Sequence, residues 1–295
     1  MADAAFITAA GGRESDLEVR SVRGLDDYRA QLDQVGERRL GYEGLICRLG
    51  DGLQAWVLPG WCRVCNQAVT FGVDWSWSWN RTVNFRERLV CQHCGLNNRQ
   101  RFAAALLRGL IEQSPDRMRI YLYEQVTDFY YVACGLEADV IGSEYLGDTL
   151  RSGEVVEGIR HEDALDLSFD DASLDCVFSN DVYEHVPDID RSLVEAARVL
   201  APRGSLVFSV PFNPREQATR QRARLDGGEV VHLMEPVLHD NPMSGEGSLV
   251  FFDYGWDLLE RCRAAGFQDA YMLAYYSAIY GHIGGGMQFL FVAER

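Results

Sequence analysis

The stretch HEDALDLSFDDASLDCVFSNDVYEHVPDIDRSLVEAARVLAPRGSLVFSVPF, residues 161–212, contains two strands and the helix that joins them. LDCVFSN (174–180) is a short, largely apolar run suited to a buried strand. DIDRSLVEAARVL (188–200) has its apolar residues at helical spacing, with Asp188 placed to cap the first turn. SLVFSVPF (205–212) is a second strand, entered through the turn Pro202-Arg203-Gly204. A strand, a helix and a strand within 40 residues is the unit from which parallel sheets are built.

The same alternation continues on both sides. Upstream, RIYLYE (119–124) and ADVIGSE (138–144) are further strands, and RQRFAAALLRGLIEQ (99–113) is an amphipathic helix rich in Ala and Leu. Downstream, WDLLERCRAAGF (256–267) is a helix closed by Gly266. It precedes two strands, DAYMLAYY (269–276) and MQFLFVAE (287–294), which suit an antiparallel edge hairpin. The spacing predicts another helix over 25–38, and residues 1–24 look like a loose tail. The fold class is therefore α/β, a doubly wound and mostly parallel Rossmann-like sheet.

Composition sets wider bounds. The 295 residues are 47% hydrophobic and 24% charged, enough to bury a real core. A net charge of −16 repels nucleic-acid phosphates and anionic membranes, so a nucleic-acid partner is not expected. Arg99, Arg101 and Arg108 form a local basic cluster, read as a solvated helix face. The sequence shows no signal peptide and no apolar run of spanning length, so a cytoplasmic protein without a membrane partner is expected.

Four of the eight cysteines fall into two CxxC pairs, Cys62/Cys65 and Cys91/Cys94, separated by 25 residues. Each pair presents two thiolates from one knuckle, and two knuckles complete a tetrahedral four-sulfur zinc site. A structural Zn2+ is expected there, because four thiolates leave no open position for catalysis. His93 lies inside the second knuckle but is not needed as a ligand. Cys47, Cys134, Cys176 and Cys262 are scattered and are read as core thiols.

Residues 161–212 resemble class I S-adenosylmethionine-dependent methyltransferases. The resemblance rests on Asp163-Ala164, Phe169, Ser173-Leu174-Asp175, Tyr183-Glu184-His185-Val186, Glu195 and Arg198-Val199-Leu200. The chain departs from that pattern with Ser168 in place of Pro, Leu174 in place of Phe and Arg203 in place of the first Gly. The arrangement is also similar to bacterial methyltransferases with a cysteine-rich front segment, through CGLNNR (94–99) and GSEYLG (142–147).

The resemblance implies S-adenosylmethionine as cofactor. It places Glu124 at the acid of the first strand, followed by Gln125 and Thr127, with Thr127 suited to cap the next helix. Glu144, next to Tyr145, would accept the ribose hydroxyls. Asp163 would take the adenine amino group, with Ala164 against the ring, and Asn180 and Asp181 would lie beside the methionine part. The family's glycine-rich first turn is missing, since residues 124–129 read EQVTDF.

Three segments follow: an N-terminal extension over 1–55, a zinc-ribbon-like module with its linking helix over 56–114, and a methyltransferase domain over 115–295. The acceptor is expected to be a sugar or another small hydroxylated molecule. A histidine base would serve it: His185 after the fourth strand, or His239 or His232 in the polar lid 213–248. Asp240 would raise the basicity of His239. Two alternatives stay open. One is a protein or RNA methyltransferase that docks through the zinc module, with the three arginines as contact surface. The other is an inactive scaffold that lost its cofactor through the altered first turn.

Overall fold

The computed structural model describes residues 2–12, 15–241 and 243–295. Within them the chain forms α1 (Ala2–Ala9), β1 (Glu18–Val22), α2 (Leu25–Leu49), β2 (Ala55–Cys62), β3 (Gln67–Asp74), β4 (Leu89–Cys91) and α3 (Asn98–Gln113). Next come β5 (Arg119–Leu122), α4 (Asp128–Cys134), β6 (Asp139–Gly142), β7 (Val155–Val156), β8 (Ile159–Arg160), β9 (Leu174–Asn180), α5 (Ile189–Val199) and β10 (Leu200–Ser209). Short strands β11 (Arg220–Gln221), β12 (Ala223–Asp226), β13 (Glu229–His232), β14 (Leu238–Asn241), β15 (Ser244–Leu249) and β16 (Phe252–Asp253) precede α6 (Leu258–Ala264), β17 (Asp269–Tyr276) and β18 (Gln288–Glu294). These residues divide into two compact units. The first comprises Met1–Val22, Asp26–Asp116 and Met272–Leu290; the second comprises Arg23–Leu25, Arg117–Tyr271 and Phe291–Arg295.

The second unit holds the parallel sheet. Its strand order is β6-β5-β9-β10, all parallel, and β18 runs antiparallel on β10 from Ser205↔Glu294 to Phe208↔Phe291. Strand order reverses between β5 and β9, so the crevice at their carboxyl ends is where such sheets bind ligands. Helix α5 buries Ile189, Leu193, Ala196 and Ala197, one face at helical spacing, and the Asp188 carboxylate accepts the Arg191 amide at 3.1 Å as its cap. The expected turn Pro202–Gly204 lies inside β10 as an irregularity, with Arg203 at φ 71°.

The first unit holds the antiparallel meander β2-β3-β4, with β2 and β3 paired from Ala55↔Asp74 to Cys62↔Gln67. The described residues of 1–24 are not a loose tail. Phe6, Ala9 and Leu17 are buried, and β1 pairs antiparallel with β17 from Glu18↔Tyr276 to Val22↔Met272. β17 and β18 are neighbours, but β1 occupies the far side of β17, so the final pair is not an edge. α1 packs tightly on α3: a Cβ at Gly109 would lie 2.0 Å from the Ala9 carbonyl oxygen. The helix expected over 25–38 extends to Leu49. From it, buried Glu43 accepts the amides of Gly284 (2.8 Å) and Gly286 (3.2 Å). Cys47, Cys176 and Cys262 are buried as expected, whereas Cys134 is exposed at the end of α4.

Candidate active site and cysteine cluster

The four paired cysteines converge. All four sulfurs lie within 4.8 Å of one another, with Cys62–Cys94 at 3.9 Å and Cys65–Cys91 at 3.8 Å. A tetrahedral zinc with Zn–S bonds of about 2.3 Å sets its sulfurs about 3.8 Å apart, so the spacing fits that ion. The hydrogen bond from Cys94 holds Cys62 down to about 5, while burial and the neighbouring Cys62 push Cys65 up to about 12.

The three arginines after the second pair are neither a solvated face nor a free contact surface. Arg101 is buried and donates to the carbonyls of Leu89 (3.2 Å), Tyr280 (2.5 Å) and Gly281 (2.9 Å), with its guanidinium 4.0 Å from the Phe71 ring centroid. Its charge acts on the thiols of Cys62, Cys91 and Cys94. Arg108 donates to the Arg63 and Val64 carbonyls inside the first knuckle, at 3.2 and 3.1 Å. Arg99 pairs with Glu87 at 2.9 Å. Buried carbonyls need donors, and these side chains supply them. His282, also buried, bonds through Nδ1 to Asn98 Oδ1 at 2.8 Å. Burial, reinforced by Arg101 and Arg63, holds it well below the usual histidine range, so it stays neutral.

In the second unit the acids expected to bind cofactor gather at the carboxyl ends of the parallel strands. Buried Glu124, just past β5, accepts Asn180 Nδ2 at 2.5 Å and the Thr127 hydroxyl. The Asn180–Glu124 bond therefore spans the reversal in strand order. Thr127 also caps α4 by accepting the Tyr130 amide. Glu144 accepts the amides of Gln125 (2.7 Å) and Val126 (3.1 Å), so one carboxylate oxygen satisfies the turn that lacks glycine. Burial raises its pKa against those two bonds. The Gln125 side chain bridges the β7–β8 hairpin, donating to the Gly158 carbonyl and accepting the Arg160 amide.

Gly142 is the glycine that packs closely against this turn. A Cβ there would meet the Glu124 carbonyl oxygen and the Tyr130 ring, each at 2.5 Å. Asp163 accepts the Leu165 amide and its own amide donates to Ser152, which fixes the Asp163-Ala164 turn. Tyr145 is 57% exposed and available to a ligand. Asp181 sits in the left-handed region at φ 53° and accepts the Ser209 hydroxyl at 2.7 Å. A non-glycine residue in that conformation is strained, and such strain gathers at functional sites. Glu144, Asp163, Asn180 and Asp181 are all partly exposed, a polar set that fits a nucleoside-like cofactor with an amino-acid tail.

Of the three histidines, the structure brings two together around a residue that the sequence reading passed over. Glu184 is fully buried in the turn Tyr183–His185. His239 Nδ1 lies 3.5 Å and His185 Nε2 3.8 Å from its Oε1, and the three ligand atoms fall within 4.8 Å of one another. Neither Glu184 oxygen accepts a hydrogen bond of ordinary length among the described residues. Burial raises its pKa; His239 and His185 oppose that, and Asp181 adds to it. Asp240, expected to support His239, is exposed on the next position of β14, so Glu184 takes that place. Pro242, part of the same polar stretch, lies outside the described residues. His232 is exposed on the β12–β13 hairpin opposite Ala223, outside this cluster. A groove of about 510 Å³ is lined by Leu165, Pro187, Asp188, Thr219, Arg224 and Phe252, within the range that holds small ligands.

Residues 129–208 match the family described as a methyltransferase domain, a span containing Glu144, Asp163, Asn180, Asp181 and His185. Among solved structures, the chain is similar to the complex between the Haloferax volcanii Trm112 methyltransferase activator and a methyltransferase. Identity is 16%, over 62% of this chain and 86% of that one, with a TM-score of 0.38. It is also similar to an S-adenosylmethionine-dependent methyltransferase from Mesorhizobium loti, at 19% identity over 60% and 91% of the chains, TM-score 0.37. A third is the Burkholderia thailandensis 1,6-didemethyltoxoflavin-N1-methyltransferase, at 18% identity over 66% and 77%, TM-score 0.36.

Proposed function

We propose, on the premise that the chain is an S-adenosylmethionine-dependent methyltransferase through this domain, that it methylates a hydroxyl of a small acceptor, with a sugar as the first class to test. The observation that carries this reading is the Glu184–His185–His239 cluster, which follows directly on Asn180 and Asp181 at the end of β9. Hydroxyls are poor nucleophiles near neutral pH and need help in losing a proton, and histidine with a carboxylate partner gives that help. Bound S-adenosylmethionine would supply an electrophilic methyl group for in-line displacement.

The chain's own residues orient the two reactants. Glu144 is the candidate acceptor for the ribose hydroxyls and Asp163 for the adenine amino group, with Ala164 beside the ring. Glu124, held by Asn180 and Thr127, fixes the floor between them. Tyr145, Gln125 and Asp181 complete the proposed cofactor set. The groove beside Pro187 and Phe252 is the candidate acceptor site. Four thiolates at tetrahedral spacing support a structural Zn2+ in the first unit.

Calorimetry with S-adenosylmethionine and S-adenosylhomocysteine tests the cofactor site. Wild-type protein is expected to bind both. Asp163→Ala should weaken binding roughly tenfold, as loss of one charge-assisted hydrogen bond does. No binding by the wild type would favour the scaffold alternative. Docking of a protein or RNA has lost its candidate surface, because Arg99, Arg101 and Arg108 are already engaged within the first unit.

A further inference from the structure

The fully buried Glu184 carboxylate faces two imidazoles, His239 Nδ1 at 3.5 Å and His185 Nε2 at 3.8 Å, both beyond ordinary hydrogen-bond length. His185 shows why. Its Nδ1 lies 2.8 Å from the Leu249 carbonyl, which can only accept, so Nδ1 carries the proton. In neutral His185 the other nitrogen, Nε2, therefore presents a lone pair toward Glu184 Oε1 at 3.8 Å. A lone pair and a carboxylate facing each other repel unless a proton or a metal cation lies between them, and 3.8 Å is too long for a shared proton and suits an ion. The His185 Nδ1–H to backbone bond is also the arrangement that fixes the tautomer of a metal-ligating histidine.

We propose that Glu184, His185 and His239 bind one divalent transition-metal ion, separate from the four-cysteine site. Two imidazoles and one carboxylate suit Zn2+, Fe2+, Co2+ or Mn2+ and leave coordination positions open. Metal–N and metal–O bonds of about 2.1 Å set tetrahedral ligand atoms about 3.4 Å apart, close to the 3.5 Å between His239 Nδ1 and Glu184 Oε1. The ligands are held from behind. The Phe251 amide donates to the Glu184 carbonyl at 2.7 Å, and β14 pairs with β15 at His239↔Ser248, next to the Leu249 that anchors His185. The open side is toward His239, whose side chain is 36% exposed.

Its role rests on the O-methylation reading, with the ion in place of a free imidazole as the group that aids proton loss. An acceptor hydroxyl bound to the ion loses its proton to water more readily. The oxygen lone pair then forms the O–C bond while the C–S bond breaks, its electrons returning to sulfur as a neutral thioether.

The test is Co2+ titration of the full chain followed by visible absorption. Co2+ held by imidazole and carboxylate gives weak d–d bands, without the near-ultraviolet thiolate charge transfer that the cysteine site would add. Expected is one Co2+ per chain of the first kind. His239→Ala, on a partly exposed strand, and Glu184→Gln should each weaken it at least about tenfold, with circular dichroism unchanged for His239→Ala. No binding at millimolar Co2+, a thiolate spectrum only, or unchanged binding in His239→Ala overturns the proposal. Co2+ binding as expected, with no hydroxylated acceptor methylated, leaves the metal site standing and removes the O-methylation reading. Methylation that persists under chelation but fails in His239→Ala overturns the metal and keeps that reading.

Discussion

Replacing Arg101 with Met should strongly destabilise the first unit. The guanidinium is buried, donates to three backbone carbonyls and lies on the face of Phe71. Methionine keeps much of the volume and removes every donor. Each orphaned buried carbonyl costs about 1–3 kcal/mol, and the ring contact adds about 1–2 kcal/mol. Partial relaxation and water entry recover some of that sum, so a net loss of about 3–5 kcal/mol is expected, as for other broken buried charge networks. That is a large share of the roughly 5–15 kcal/mol of a typical domain. Arg101→Lys keeps the charge, but one ammonium cannot reach three carbonyls and cover the ring, so it should recover less than half. Urea denaturation followed by tryptophan fluorescence reads the stability, and a chromogenic chelator reads the rate of zinc release, which should rise in the Met variant. A Met variant within about 1 kcal/mol of wild type, with unchanged release, would refute the assignment of Arg101 as donor to those carbonyls.

The remaining predictions concern the same unit. Metal analysis should give one zinc per chain at the cysteine cluster, and Cys91→Ser should lose it and lower thermal stability; metal-free wild type of normal stability would count against the site. Asp74 is held down to about 2, first by its hydrogen bonds from Arg88, against an unfolded value of 3.8. A depressed acid stabilises the fold above its unfolded pKa and loses that contribution as pH falls. Asp74→Asn should therefore cost about 1 kcal/mol at neutral pH, after allowance for solvent screening, and almost nothing near pH 2. Equal loss at both pH values would show that packing, not charge, is responsible.

Much of this was legible in the sequence wherever the chemistry is local. β9, α5 and β10 follow from apolar spacing and a capping aspartate, and the cysteine cluster follows from two knuckles. What escaped depends on partners distant in sequence. β1 is five residues long and its pairing with β17 leaves no period to detect. Arg101 reads as a surface charge until the carbonyls of Tyr280 and Gly281 are placed beside it. Glu184 is adjacent to His185, yet a charge in a polar turn gives no sign that burial awaits it. Residues 213–248 read as one long lid, but its described residues include two short hairpins, β12–β13 and β14–β15, whose backbones pair locally.

Gly284, Gly285 and Gly286 would ordinarily mark a loop whose amide hydrogens exchange with solvent almost at once. Two of those amides instead donate into the buried Glu43 carboxylate on α2. Their exchange cannot proceed until that carboxylate lets go. In a deuterium-labelling experiment this glycine run should label slowly, and its protection would serve as a clock for the opening of α2 rather than for the motion of a loop.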